Sequence, residues 1–255
     1  MAISRVSLMR YQPVPEQEQA FWDWYEHVHT PDLFTRPGWK RVRMCRLLPA
    51  ESAPEALRAY RDPTGQPRYL NLLERYIGVA AFGGPGPSPG QVDMMTNWLP
   101  TLARYTTAGY LCIVERTAAD FGGPPESKKP YRIGVMRYDV APEKEEAFHQ
   151  WYDEVHTPEL FAGQGWRAVR RYTFSSESRG GPAVLQGYQL REGEPAHLIL
   201  LEREMGQPGM APSQPAGQVS HGVQDFVSNW LPHLRNYTSI GYECLVDASE
   251  SDFKQ

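Results

Sequence analysis

The stretch FWDWYEHVHTPDLFTRPGW occupies residues 21–39, and FHQWYDEVHTPELFAGQGW occupies residues 148–166. The two stretches are identical at eleven of nineteen positions without a gap. The match extends to either side, where VSLMRY (6–11) corresponds to IGVMRY (133–138) and LNLLER (70–75) to LILLER (198–203). A unit of roughly 125 residues is therefore written twice, a period that is too long for a solenoid and indicates a duplicated domain.

Each unit has the same predicted order of elements. We predict a first unit at residues 1–120, a second unit at residues 131–250 and a linker at residues 121–130, where the sequence FGGPPESKKP is rich in Gly, Pro and charge. In the first unit the apolar spacing predicts strands at 3–12, 39–48, 68–76 and 109–116, a helix that ends at Pro31, and a second helix broken by Pro100. The order βαββαβ is that of a ferredoxin-like unit. The sheet face without helices must be covered, and the second copy supplies the cover as an internal pseudo-dimer.

The string W-Y-x-x-V-H-T-P-x-L-F, at residues 24–34 and again at 151–161, resembles the dimeric α+β barrel superfamily, and most of all its EthD-like members. The resemblance covers nearly the whole chain. It implies an α+β fold in which two fused ferredoxin-like βαββαβ units form an intrachain dimeric α+β barrel. Lactone isomerases, polyketide cyclases, cofactor-free quinol monooxygenases and some haem-handling enzymes have similar folds, so the resemblance selects no single activity.

The composition limits the partners that we expect. The net charge is −4 and Lys and Arg do not cluster, so we expect no nucleic-acid partner. No window is apolar enough for a signal peptide or a membrane span, and we expect a cytoplasmic protein with no membrane partner. The three cysteines lack CxxC spacing, which argues against a disulfide framework and against a zinc site. A homodimer through exposed edges or helices stays open.

The repeated histidines are the first candidates for chemistry. His29 and His156 each follow a tyrosine, Tyr25 and Tyr152, by four residues, so His and Tyr share one helix face. A neutral imidazole there can act as a general base or acid, and the tyrosine can orient it or donate to a substrate oxygen. The alternative is structural, because a histidine in the last turn of a helix can cap the free carbonyl groups.

The first strand of each unit ends with one arginine. Arg10 and Arg137 are predicted to stabilise negative charge on a substrate oxygen or a developing enolate. The alternative, which we favour, is a salt bridge to Glu74 or Glu202 on the third strand, because buried charges are usually paired.

Aromatic and polar residues recur in both units and predict a cavity for a flat hydrophobic ligand. We expect Trp39 and Arg43 to alternate along the second strand and to point the same way, as Trp166 and Arg170 do in the second unit. The predicted substrate-binding residues are Trp39, Trp166, Arg43, Arg170, Asn97, Asn229 and His197, although a structural role in the core, or a backbone contact for the asparagines, is the alternative.

The units differ at several positions. Trp22 is replaced by His149 and Tyr69 by His197, so the second unit is richer in histidine and is the favoured half for chemistry. A metal site of His149, His156 and His197 is not supported by any ligand spacing, and no nucleotide or nucleophile motif occurs. We therefore expect no metal and no cofactor.

These observations lead to a functional hypothesis. The chain is expected to be a cofactor-independent enzyme of the isomerase, cyclase or lyase/dehydratase type that acts on an aromatic or polyketide-like small molecule by His-mediated proton transfer. One alternative is a non-catalytic carrier protein for hydrophobic metabolites. A cofactor-free monooxygenase and a haem protein are further alternatives within the same fold.

Overall fold

The structure is a computed structural model that describes residues 4–49, 54–79, 86–124, 130–175, 187–188, 193–206 and 220–254. The strands of the first unit are β1 (Ser4–Pro13), β2 (Trp39–Leu47), β3 (Tyr69–Tyr76) and β4 (Leu102–Thr117). Those of the second unit are β5 (Tyr131–Val140), β6 (Trp166–Phe174), β7 (His197–Glu204) and β8 (Leu234–Ser249). The predicted linker lies partly outside the described residues, and the domain boundaries stay a prediction.

The helices follow the same plan in both units. The first unit contains α1 (Glu18–Trp24), α2 (Thr30–Phe34), a short α3 (Glu55–Arg58) and α4 (Pro89–Asp93). The second unit contains α5 (Glu145–Trp151), α6 (Thr157–Ala162) and α7 (His221–Asp225). None of these helices is long and apolar enough to cross a membrane.

All eight strands form one closed antiparallel barrel, in the order β1-β3-β2-β8-β5-β7-β6-β4. Within each unit the order is that of a ferredoxin-like sheet, which confirms the predicted βαββαβ units. The last strand of each unit has 16 residues and pairs with both units: β4 pairs with β1 and β6, and β8 pairs with β5 and β2. The duplication therefore builds an intrachain dimeric α+β barrel, as expected, and the two units share one sheet.

Two helices of each unit widen into a π turn that ends two residues before a proline. The four turns are Tyr25–His29, Met94–Trp98, Tyr152–His156 and Phe226–Trp230. In each of them the next residue donates its N–H to the first carbonyl of the turn, for example Thr30 to Tyr25. A proline has no N–H and its ring collides with the carbonyl four residues back, and a wider turn relieves both problems.

The helix prediction at Pro31 was therefore wrong. The helix does not end there but continues as α2 to Phe34, and Pro158 is passed in the same way by α6. Pro100, by contrast, lies within the short 3-10 turn Leu99–Thr101, and its helix ends there as predicted. His29 and His156 consequently lie inside continuous helical segments, so the predicted capping of helix C-termini does not apply to them.

A β-bulge separates the faces of the second strand in each unit. The register shifts between Trp39 and Arg41, and again between Trp166 and Ala168. Trp39 packs with the helices, whereas Arg43 lies inside the barrel. The prediction that Trp39 and Arg43 point the same way was wrong, as was the same prediction for Trp166 and Arg170, because the inserted residue reverses the alternation.

The segment between β2 and β3 connects the two units. Its residues 54–63, called the strap below, pack on the second unit, whereas Gly65 and Arg68 contact Arg104 and Glu18 of the first unit. Leu57 of α3 is buried in the second unit's helix–sheet core, and the ring of Tyr60 lies 5.1 Å from that of Tyr237. The strap thereby covers one face of the second unit.

Candidate functional site

A cavity of about 630 Å³ lies in the second unit, between the outer face of the sheet and the helices. Its floor consists of residues from β5, β7 and β8, its walls come from the helical segments around residues 152–163 and 220–226, and its roof is formed by the strap together with Leu48 and Pro49. The volume is in the range of roughly 300–1,000 Å³ that small-molecule sites occupy. Most of the lining is apolar, and the polar groups are Arg61, Arg132, Tyr152, His156, Glu159, Arg203, Ser220, Tyr237 and Ser239.

Two of the predicted catalytic residues line this cavity together. Tyr152 and His156 are the first and last residues of one π turn, and their rings lie 5.0 Å apart in an edge-on arrangement. The other face of His156 stacks on Trp151 at 5.0 Å. The imidazole is therefore held between two aromatic rings at the wall of the cavity.

His156 is neutral near pH 7. Burial lowers the pKa of its imidazole to about 4, and the nearby Asp225 carboxylate opposes the shift only in part. Its Nδ1 atom is buried and has no hydrogen-bond partner among the described residues. That atom lies 4.0 Å from Oε2 of Glu159, close enough for an ion pair once the ring is protonated. Glu159 in turn accepts from the backbone N–H of Gly222 at 3.0 Å, which ties the helix to α7.

Tyr152 carries a buried phenol. Burial raises the pKa of its hydroxyl well above the usual 10, so the group stays protonated and can donate a hydrogen bond. The hydroxyl has no hydrogen-bond partner among the described residues. Orphaned buried polar groups are rare in folded proteins, and here two of them belong to residues of the same cavity wall.

The first unit repeats the arrangement of rings. His29 stacks on Trp24 at 4.8 Å and meets Tyr25 edge-on at 4.9 Å. Burial lowers the pKa of His29 to about 4, although Asp32 and the Gly90 backbone raise it. Asp32, the counterpart of Glu159, accepts from the hydroxyl of Ser88. The cavity described above is lined by Tyr152 and His156 and not by Tyr25 and His29, so the two copies do not have identical surroundings.

Arg10 and Arg137 lie inside the barrel, away from this cavity. Alternation along β5 places Arg137 with the barrel core and Gly134 and Met136 with the cavity floor. The predicted salt bridges form with another partner: both guanidinium groups bind Glu194, at 2.7 Å from Arg10 and 3.2 Å from Arg137. The expected pairing with Glu74 or Glu202 was wrong, because those carboxylates already bind Arg43.

Arg43 and Arg170 occupy the fully enclosed part of the barrel. Oε1 of Glu202 accepts from both guanidinium groups, and Glu74 accepts from Arg43. The pKa of Glu202 is held far below its usual range because Arg170 and Arg43 outweigh the effect of burial. Arg43 and Arg170 therefore connect the two units inside the barrel. They were predicted to bind substrate, but they do not line the cavity.

The remaining predicted binding residues divide between the cavity and other places. Trp166 lines the cavity and carries the guanidinium of Arg203 over its ring at 5.4 Å, whereas Trp39 carries Arg75 in the same manner in the first unit. Asn97 and Asn229 are exposed. Each donates to an aspartate side chain one turn earlier, and neither lines the cavity, so their binding role stays a prediction.

His197 is buried and belongs to a second group of polar residues, with Glu145 and His149, outside the cavity lining. Its Nε2 lies 3.3 Å from Oε1 of Glu145, and its ring meets that of His149 at 4.7 Å. Burial lowers the pKa of His197, and it lowers that of His149 to about 3. Among the residues that the structure describes, no group of three or more His, Cys, Asp or Glu side chains is placed to hold a metal ion, and His149, His156 and His197 do not converge.

The sequence reasoning missed two parts of the site. Arg61 and Leu57 belong to an insertion that has no helix-length periodicity, so nothing in it indicated a contact with the other unit. Glu159 and Gly222 were visible as repeats of Asp32 and Gly90, since both units keep an acidic residue three positions after the histidine. That acidic residue was the signal for a contact between the two helices of a unit.

Solved structures resemble this chain in fold. An anthrone oxidase-like protein matches with a TM-score of 0.60 at 12% identity, over 100% of this chain and 96% of its own. A candidate monooxygenase from Fusobacterium nucleatum subsp. nucleatum matches with 0.60 at 8% identity, over 97% and 95% of the two chains. A candidate monooxygenase from Lactobacillus acidophilus matches with 0.57 at 6% identity, over 97% of each chain.

At these identities the matches show the fold, a dimeric α+β barrel, and the EthD-like branch is not confirmed. No family model matches the sequence, and no curated protein matches it.

Proposed function

We propose that the chain is an enzyme that binds an aromatic or polyketide-like small molecule in the second-unit cavity and removes a proton from it. The observation that carries the proposal is His156: a neutral imidazole with an unpartnered Nδ1, clamped between two rings at the wall of a mostly apolar cavity. Enclosed apolar cavities with a few convergent polar groups and shifted pKa values are the usual form of a small-molecule site.

His156 is the proposed general base. Its low pKa keeps the ring free of a proton at pH 7 but makes it a weaker base, so proton transfer from an acidic hydroxyl or an activated C–H group requires that the imidazolium be stabilised. The imidazolium that results is costly in a buried site, and the Glu159 carboxylate 4.0 Å away stabilises it. Tyr152 remains protonated and donates to the ligand oxygen on which negative charge develops.

The fate of the resulting anion separates two reaction classes. Return of the proton to another atom gives an isomerisation, a cyclisation or a lyase step, which is the class that the sequence favours. Reaction of the anion with molecular oxygen is the chemistry of a monooxygenase or an oxidase. The names of the fold neighbours, an anthrone oxidase-like protein and candidate monooxygenases, favour the second class as an alternative. Both classes begin with the same proton transfer to His156, and neither requires a bound cofactor in this proposal.

A ligand screen tests the proposal. Phenols, quinones, anthrones and aromatic lactones would be screened by thermal shift, and binders would then be assayed for turnover and for oxygen uptake. His29→Gln is the matched control for His156→Gln, because both rings have the same neighbours in their own units. We expect His156→Gln to abolish turnover while His29→Gln retains it.

Two outcomes would count against the proposal, and a further measurement separates its two reaction classes. Turnover that survives in His156→Gln would remove the histidine from the chemistry. Tight binding without any turnover in the wild type would favour the carrier protein. Oxygen uptake with His156-dependent turnover would select the monooxygenase class, and proton exchange without oxygen uptake would select the isomerase or lyase class.

A further inference from the structure

The strap of the first unit is a fixed part of the second unit's cavity. Leu57 is 2% exposed and packs in the second unit's core, and Tyr60 contacts Tyr237. Just before the strap, the backbone N–H of Leu48 donates to the carbonyl of Gly241 on β8 at 3.0 Å. The residues that follow Leu57 are therefore held over the cavity by contacts on both sides.

Arg61 is the charged residue that the strap places in the cavity lining. Its Nε atom is buried and has no hydrogen-bond partner among the described residues. The guanidinium lies near the hydroxyl of Tyr237 and lowers the pKa of that group, although burial raises the pKa to about 12 overall. An acceptor atom of a ligand in the cavity would satisfy this donor.

The charge of the cavity favours an anion. Its lining contains three arginines, Arg61, Arg132 and Arg203, and one carboxylate, that of Glu159. His156 adds no charge near pH 7. Charges of one sign along a low-dielectric cleft concentrate ligands of the opposite sign.

We propose that the ligand carries a carboxylate in addition to its aromatic rings, and that Arg61 of the first unit binds this carboxylate in the second unit's site. The inference rests on the proposed function and names its substrate class: aromatic carboxylic acids. The planar guanidinium matches the two oxygens of a carboxylate and leaves the rings to the apolar walls. The second unit then supplies the general base, His156, and the first unit supplies Arg61, which binds the carboxylate.

A paired titration tests this. The probes are anthraquinone-2-carboxylate and its neutral carboxamide, with further acid and amide pairs built on naphthalene and benzene. The proteins are the wild type, Arg61→Met, and Arg58→Met as the control. Arg58 lies on the same strap but is 67% exposed and paired with Glu55. We expect the wild type and Arg58→Met to bind the acids roughly tenfold or more tighter than the amides, because ionised hydrogen bonds are the stronger kind.

Arg61→Met should lose this preference for acids while its affinity for the amides stays the same. Arg61→Gln should give the same result, and it replaces Arg61→Met if the apolar variant does not fold. Equal binding of acids and amides by the wild type, or a preference that survives in both Arg61 variants, overturns the carboxylate assignment alone. A wild type that binds no member of any pair overturns the proposed function as well.

Discussion

Replacing Gly222 with alanine tests the contact that positions His156 without altering any group proposed to touch the ligand. A Cβ atom at Gly222 would lie 1.9 Å from Oε2 of Glu159 and 2.6 Å from Nδ1 of His156. Both separations are below 3.0 Å, so the side chains have to move. Glu159 has room to rotate, but His156 is held between Trp151 and Tyr152.

We expect Gly222→Ala to lower the stability of the protein, which is opposite to the usual effect of this substitution in a helix. Glycine to alanine in a helix usually stabilises a protein by about 0.5–1 kcal/mol. Here Glu159 must leave the N–H of Gly222, and a hydrogen bond to a charged group contributes about 1.5–3 kcal/mol. Overpacking against His156 adds about 1–3 kcal/mol. Because these effects overlap, we expect a net loss of about 1–4 kcal/mol, or roughly 2–4 °C in melting temperature for each kcal/mol.

Gly90→Ala is the matched control, measured by thermal denaturation and by ligand titration. A Cβ atom there would lie 2.7 Å from Oδ2 of Asp32, and its three nearest atoms include none of His29, so Gly90→Ala should also destabilise the protein but by less than Gly222→Ala. Only Gly222→Ala should also weaken ligand binding, since the second unit contains the cavity. A Gly222→Ala protein that is as stable as the wild type would refute the packing argument. Equal loss of binding in the two variants would refute the assignment of the site to the second unit.

Two further predictions concern buried charge. Burial lowers the pKa of His29 and His156 from about 6.5 to about 4, so their contribution to stability is complete above pH 6.5 and is lost as the pH falls toward 4. Between pH 6.5 and pH 4 each histidine lowers the free energy of unfolding by about 3 kcal/mol. In urea denaturation at several pH values, the free energy of unfolding should therefore depend less on pH in the His29→Gln/His156→Gln double variant than in the wild type. Glu202→Gln leaves Arg43 and Arg170 without a shared buried carboxylate, and equilibrium denaturation should show a loss of about 3–5 kcal/mol.

Exposed residues of the same types provide the controls. His27→Gln changes an exposed histidine that contacts only the carbonyl of Asp23, so it should leave the pH profile as it is in the wild type. Glu243→Gln breaks an ion pair with Arg46 near the surface and should cost no more than about 1 kcal/mol. Equal effects of Glu243→Gln and Glu202→Gln would contradict the distinction between buried and exposed pairs.

The repeat made the fold predictable. Two matching βαββαβ patterns require a partner for each exposed sheet face, and the second copy was the only one that the chain itself contains. The boundaries of β1, β2 and β3 followed from periodicity, but β4 begins at Leu102, seven residues before the strand predicted at 109–116. Pro31 looked like a helix end because a normal α-turn cannot accommodate it, but a π turn can. The bulge after Trp39 reversed the predicted alternation of side chains along the second strand. It could not be predicted, because one extra residue in a strand is not visible in the pattern of apolar residues.

The candidate site was predictable only within one unit. Tyr152 and His156 were found because four residues separate them on one helix and because both units keep them. The role of the strap was not predictable, since contacts between segments distant in sequence leave no periodic signal. Arg10 and Arg137 were assigned to chemistry, yet the insertion that contains Glu194 provides their partner. Residues inside the barrel and residues of the cavity alternate along one strand, and the sequence alone does not tell which face holds the ligand.

The protonation state of His156 is the most direct test of the central claim. Nitrogen NMR of the histidine rings would be recorded with and without a bound acidic phenol or anthrone, and the His156→Gln variant would assign the signal. The account predicts a neutral ring in the free protein down to about pH 4, and a protonated ring at pH 7 once the ligand is bound as its anion. A ring that titrates near pH 6.5 in the free protein, or that stays neutral with the ligand bound, would contradict proton transfer to His156.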